Sequence, residues 1–145
     1  MNLFNKIINY LEKVKDLPPL LFRMVLAFGF YETAMMKLKN FDGIVEWFGS
    51  MGMPLPKLNA LLATGTETTG VVLLFLGLAT RIISIPLIIV MIVAIITVHL
   101  GNGFEAGNNG FEIPIYYILM LFSLLITGPG KISIDALINK FYNKK

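Results

Sequence analysis

Glu32, Glu67 and His99, the chain's single histidine, stand inside runs that are otherwise apolar. An ionisable side chain in such a run is costly to bury, so each marks a candidate site by default. Two carboxylates held close together cannot both ionise freely, which leaves one able to exchange protons near neutrality. With an imidazole alongside, the group could relay a proton, bind a cation or hold a polar headgroup. A plainer reading competes: Glu32 or Glu67 pairs with Lys37 or His99 across two helices and locks their packing. Tyr116 and Glu112, a few residues beyond His99, complete the set of ligand-binding or proton-relay candidates.

His99 opens the longest polar interruption of the chain, residues 99–112, in which the tetrapeptide Asn-Gly-Phe-Glu occurs at 102–105 and again at 109–112. The stretch lacks the lysine and the strand-to-helix setting of a phosphate-binding loop. Its composition fits a short re-entrant lid made by Asn102, Gly103, Phe104, Asn109, Gly110 and Phe111, with both phenylalanines dipping inward. A plain ordered turn fits as well. In the lid reading His99 is the hinge, Glu32 and Glu67 are the floor, and Glu112 rather than Glu105 reaches inward.

The metal chemistry open to this chain is narrow. It has no cysteine, which excludes thiolate sites, disulfides and Cys-x-x-Cys redox chemistry. A di-iron carboxylate bundle needs Glu-x-x-His pairs, which are absent. One histidine cannot ligate a haem from both sides, and zinc usually recruits more His or Cys. His99 with Glu67 is the only metal pair left to consider. Copper(I) could also use His99 with Met35, Met36, Met51 or Met53, although methionines at helical spacing more often face lipid or core.

The elements that position these groups are apolar helices. The 145 residues are 56% hydrophobic with a mean hydropathy of +0.75, against about 45–50% apolar in a soluble domain. The sequence predicts an all-α integral membrane four-helix bundle, a single domain over 1–145. Its spans cover about 20–38, 58–78, 82–100 and 113–128, the third with a kink or late start at Pro86. Amphipathic helices are expected at both ends and in the first outer loop. Residues 3–15 put Leu3, Phe4, Ile7, Ile8, Leu11 and Val14 on one arc; a helix after Asp42, capped by it, carries Trp47; and Ser133 starts the last helix. Lys6, Glu12, Lys13, Lys15 and Asp16 interrupt any signal-peptide core. A net charge of +3 on so few charged residues gives no nucleic-acid footprint.

Lysine and arginine set the orientation. Lys6, Lys13, Lys15, Arg23, Arg81, Lys131, Lys140, Lys144 and Lys145 fall on the side of the termini, and Lys37, Lys39 and Lys57 on the other. Both termini are therefore expected in the cytoplasm. Glu32 and Glu67 then lie roughly 10–14 Å below the outer boundary at 1.5 Å per residue. Arg23, about half a turn from Glu32, should leave their pocket and snorkel to the cytoplasmic face. The third span is apolar from 82 to 96, which disfavours a pore through one chain, though not an oligomeric channel or exporter.

Several stretches together resemble the DoxX family of small four-helix membrane proteins. They are Arg23 at the start of the first span, Glu-Trp-Phe-Gly-Ser-Met-Gly-Met-Pro at 46–54, and Thr-Glu-Thr-Thr-Gly followed by an apolar run to Ala-Thr-Arg at 66–81. Further matches are Thr-Val-His-Leu-Gly-Asn-Gly-Phe at 97–104 and Gly-Pro-Gly-Lys-Ile-Ser-Ile-Asp-Ala at 128–136. Tyr-Glu-Thr-Ala-Met-Met-Lys at 31–37 and the doubled Asn-Gly-Phe-Glu loop resemble the HvfX branch more narrowly. The resemblance implies a multi-pass protein of the bacterial inner membrane. It also implies a role beside enzymes that mature or export a copper-binding modified peptide, or in copper and sulfur redox stress, with quinone or copper as ligand. In that setting the chain would be a non-catalytic subunit or a membrane scaffold for soluble redox enzymes, able to form homo-oligomers. No catalytic residue transfers from the family.

Overall fold

The computed structural model describes residues 2–142; Met1 and residues 143–145, which include Lys144 and Lys145 of the basic tail, lie outside the described residues. The described residues form seven α-helices and no strand. They are α1 (Leu3–Lys13), α2 (Leu17–Lys39), α3 (Phe41–Ser50), α4 (Pro56–Leu76), α5 (Thr80–Ala94), α6 (Glu112–Thr127) and α7 (Ile134–Tyr142). α5 continues through a π-helical turn, Ile95–His99, and a 3₁₀ turn, Leu100–Asn102. Pro86 lies inside α5 rather than at a late start.

α2, α4, α5 and α6 pack in a closed ring of neighbours, α2 on α4, α4 on α5, α5 on α6 and α6 on α2. Leu26, Phe30, Leu74, Leu87, Leu121 and Leu124 meet at its centre, each almost completely buried. α3 lies on the outside of α4, where Ile44 and Phe48 cover Ala60. The outward faces are apolar too, with Val72, Phe75, Ile82, Leu119 and Phe122 more than half exposed. Two stretches among the described residues are long and apolar enough to cross a membrane, Pro56–Leu76 and Thr80–Asn102. α2 has the length, but Arg23, Glu32, Lys37 and Lys39 lower its hydropathy. α6 is apolar throughout and has only 16 residues, about 24 Å of helix.

The terminal helices match the amphipathic pattern. α1 has no buried residue and exposes Leu3, Phe4, Ile7 and Leu11; α7 exposes Leu137 and Phe141. In α3 the cap falls two residues earlier than Asp42. Asn40 is the N-cap, and Asp42 sits within the first turn, where its charge favours the helix dipole instead.

Arg23 corrects a sequence expectation. It does not snorkel: it is 1% exposed, and its guanidinium donates to the carbonyls of Leu74 (3.3 Å) and Ile132. The last turn of α4 supplies carbonyls with acceptor capacity to spare, at the negative end of the helix dipole. A buried cation there is solvated by backbone rather than by water. Gly77 makes the room. It ends α4 in the left-handed region at φ 66°, with Gly77 N–H donating to Leu74 O and Leu78 N–H to Leu73 O, the paired closure typical of a helix terminus. The same corner is held from the far end of the chain. The Asp135 carboxylate accepts from the amides of Ala79 (2.8 Å) and Thr80 (3.2 Å) and so caps α5, while its own amide donates to Gly77 O.

A side chain at position 77 would overlap the Arg23 guanidinium and Ser133. Adding the left-handed strain of about 1–2 kcal/mol, Gly77→Ala should cost about 2 kcal/mol or more. Thermal unfolding of the detergent-solubilised protein measures this, and Gly65→Ala, where a Cβ meets nothing within 4 Å, is the neutral control.

Candidate functional site

Glu67 lies in the middle of α4 and is 1% exposed. Both its carboxylate oxygens are 2.6 Å from Lys37 Nζ on α2, and Thr33 Oγ1 is 3.0 Å from Oε2. Thr33 and Lys37 are one helical turn apart and therefore share a face. Lys37 is in the last turn of α2, where the helix dipole also favours its charge. A buried carboxylate is tolerated only with its charge matched and its lone pairs occupied. Here one ammonium and one hydroxyl do both.

This pair forms part of the wall of a cavity of about 630 Å³ in the half of the ring near the 99–112 loop. The remaining polar wall is Glu32, Asn59, Thr97, His99, Asn109 and Tyr117; the rest is mostly apolar, from Phe30 and Trp47 to Val90, Val93 and Ala94. Glu32, Glu67 and His99, which the sequence singles out from three helices, thus share one cavity. Glu32 is exposed and has no salt bridge among the described residues. Arg23 lies at the other end of the ring, against Leu74 and Ile132, about 13 Å along α2 from Glu32.

His99 ends the π-helical turn. Its Nδ1 is 2.9 Å from Asn109 O; a carbonyl can only accept, so Nδ1 carries a proton, and Nε2 has no hydrogen-bond partner among the described residues. Asn102 Nδ2 donates to the same carbonyl at 3.2 Å. These two bonds tether the loop over the cavity, where Ala106, Asn109 and Gly110 form its roof. The doubled tetrapeptide has a structural use. Its two copies bond to each other, Phe111 N–H to Gly103 O and Glu112 N–H to Phe104 O, and the two phenylalanine rings stack edge to face at 5.5 Å. Gly110 lies so close to Gly103 O and the Phe104 backbone that no side chain would fit.

Three expectations are corrected here. Phe104 and Phe111 do not dip inward: they pack on one another, outside the cavity. Glu112 does not reach inward either, since its carboxylate accepts from Ala106 N–H (2.9 Å) and Tyr116 O–H (3.1 Å) and braces the loop. Tyr116 is outward-facing and 45% exposed. Its neighbour Tyr117 lines the cavity, because one residue turns a helix by about 100°. Tyr117 stacks on Phe30 at 5.4 Å and sets its hydroxyl where a Cβ on Gly29 would stand. That glycine, with Thr33 one turn later, is the sequence signal for the missed wall. As for metals, no three His, Asp or Glu side chains gather among the described residues, so His99 and Glu67 are not joined by a third ligand of that kind.

Removing the His99 tether should loosen the roof without opening the ring. One such hydrogen bond contributes about 1 kcal/mol, so His99→Ala should speed amide exchange at Gly110, Phe111 and Glu112 about fivefold, with the amides of α4 unchanged. Hydrogen exchange with mass-spectrometric readout checks this.

The comparisons agree with this architecture. The DoxX family model matches residues 19–100. An uncharacterized protein of Haemophilus influenzae is 31% identical over 134 residues, 87% of this chain and 86% of the relative. A protein of Bacillus subtilis named putative oxidoreductase CatD is 34% identical over 132 residues, covering 90% and 93%. The inner membrane protein YphA of Escherichia coli is 31% identical over 121 residues, covering 80% and 86%. No solved structure matches. With the family model spanning more than half of its length and three relatives aligned over most of it, the chain belongs to the DoxX family of membrane proteins.

Proposed function

We propose that the chain crosses the bacterial inner membrane four times, through α2, α4, α5 and α6, as one unit over 1–145 with both termini cytoplasmic. The cavity on the outer side would bind a small amphiphile of quinone-like chemistry. The observation that carries this reading is the pairing of one buried, hydrogen-bonded Lys37–Glu67 couple with a mostly apolar cavity. Its volume lies in the range of small-molecule sites, about 300–1,000 Å³, which combine apolar walls with a few placed polar groups. The remaining Lys37 N–H can donate to a ligand carbonyl, Glu32 and the unpartnered His99 nitrogen can accept a hydrogen bond, and the aromatic rings of Phe30, Trp47 and Tyr117 can hold a flat ring.

In this reading the protein is a non-catalytic membrane subunit of a redox or peptide-maturation system. The relative named a putative oxidoreductase supports the redox setting, and the resemblance to the HvfX branch supports a copper-binding modified peptide and its maturation enzymes as partners. Copper(I) as ligand has one observation in its favour: Met36, Met53 and Met91 line the same cavity as His99, and thioether with imidazole suits a soft cation.

Trp47 is the only tryptophan and lines the cavity, so its fluorescence reports occupancy. Decyl-ubiquinone added to the reconstituted protein should quench Trp47 saturably, and Lys37→Met or Glu67→Gln should weaken that binding about tenfold, the worth of one charged hydrogen bond. Unchanged affinity in both variants would reject the site. Saturable copper(I) binding that Met36→Leu and His99→Ala abolish, with no response to the quinone, would favour the second reading.

A further inference from the structure

The cavity has walls of unequal closure, and they show by which route it can be reached. Between α2 and α6 it is narrowed, and the exposed wall there carries the charge of Glu32. The Tyr117 hydroxyl occupies the space of a Gly29 side chain, and its ring stacks on Phe30. Toward the loop it is roofed by Asn109 and Gly110, tied down through His99 and Asn102. Toward the termini α4 and α5 are in close contact, since a Cβ on Gly70 would press on Leu87 and the helices join through the tight corner at Gly77.

Between the other halves of α4 and α5 the rim of the cavity is exposed and aliphatic. Leu62 on α4 and Ile89 and Val93 on α5 line the cavity and are at the same time 57%, 56% and 39% exposed. Leu62 lies within about 80° of Gly70 around α4, so it is on the α5 side of that helix. Ile89 and Val93 are one turn apart and share a face. Glu32 and Met36 on α2, Trp47 on α3 and Ile113 on α6 also line the cavity and are exposed, but the rim made by Leu62, Ile89 and Val93 is aliphatic throughout, and in a membrane-embedded ring all three would face lipid rather than water.

We propose that the cavity opens sideways into the bilayer through a portal between α4 and α5, edged by Leu62, Ile89 and Val93. Its occupant is a membrane-dissolved amphiphile that brings a hydrogen-bonding head to the Lys37–Glu67 pair and leaves its apolar body in the gap. This rests on the four-span reading above and adds to it the route and the class of ligand. A water-borne solute would need an opening under the loop, where the tethers lie. A lipophilic one needs only to part three aliphatic side chains.

The chain has no cysteine, so a single Ala94→Cys on the cavity wall can be labelled in the protein reconstituted into phosphatidylcholine vesicles. Two probes are used: a long-alkyl maleimide dissolved in the bilayer and a sulfonated maleimide confined to water. The bilayer probe should label position 94 faster. Leu62→Trp with Val93→Trp should slow it about tenfold, a barrier of about 1.4 kcal/mol, and Leu62→Ala with Val93→Ala should speed it. Phe122→Cys on the outer face of α6, 56% exposed in the native residue, should react with the bilayer probe alike in all three backgrounds. Faster labelling by the sulfonated probe, or a rate indifferent to both portal pairs, would overturn the portal. Failure of Phe122→Cys to react from the bilayer would instead overturn the four-span reading, and the portal with it.

Discussion

The contact on which the rest of the structure depends is the ion pair between Lys37 and Glu67. A carboxylate 1% exposed among apolar helices has no water to solvate it, and the uncompensated cost of such a charge is several kcal/mol. α2 and α4 must therefore meet at the one register that brings Lys37 Nζ within 2.6 Å of both oxygens. Thr33 takes part in the same arrangement one turn earlier. The pair adds little net stability compared with an apolar contact of equal volume. What it provides is a single permitted alignment, and a polar spot in an otherwise greasy cavity.

At the opposite end, polar groups fix the ring by other means. Arg23 is held by carbonyls of α4 and of the segment before α7, and Asp135 caps α5 from more than fifty residues away. Residues 130–135 thereby close the ring where α4 turns into α5. One end is made rigid by these clamps, and the other is left with a cavity, a tethered roof and a loosely filled gap. Ligand sites need such an asymmetry. A rigid scaffold holds the geometry, and the low-stability segments do the opening.

Much of this was legible in the sequence, for identifiable reasons. The sequence pattern located the four helices of the ring, because helix length and apolar content are properties of each segment alone. Glu32, Glu67 and His99 could be placed together because depth follows from counting residues at a fixed rise. What counting could not give was the face. Tyr116 and Tyr117 differ by one position and stand on different sides of α6. Position alone points Glu112 inward, whereas its oxygens serve the loop. Nothing in the local sequence around Arg23 shows that Gly77 and the end of α4 offer it a buried cradle in place of the cytoplasmic boundary. The tandem Asn-Gly-Phe-Glu was visible as a repeat. That its copies pair with each other, leaving Asn109 and Gly110 as the roof, depends on a chain reversal that no periodicity encodes.

A double-mutant cycle on Lys37 and Glu67, read by reversible unfolding of the reconstituted protein, tests the central claim most directly. Lys37→Met and Glu67→Gln, taken singly, should each cost about 3–5 kcal/mol, since each leaves one charge buried and unmatched. Together they should cost less than the sum by a coupling of about 2–3 kcal/mol. Additive losses, or single variants as stable as the native protein, would mean that the two side chains are not paired in the bilayer, and the cavity would lose its polar anchor.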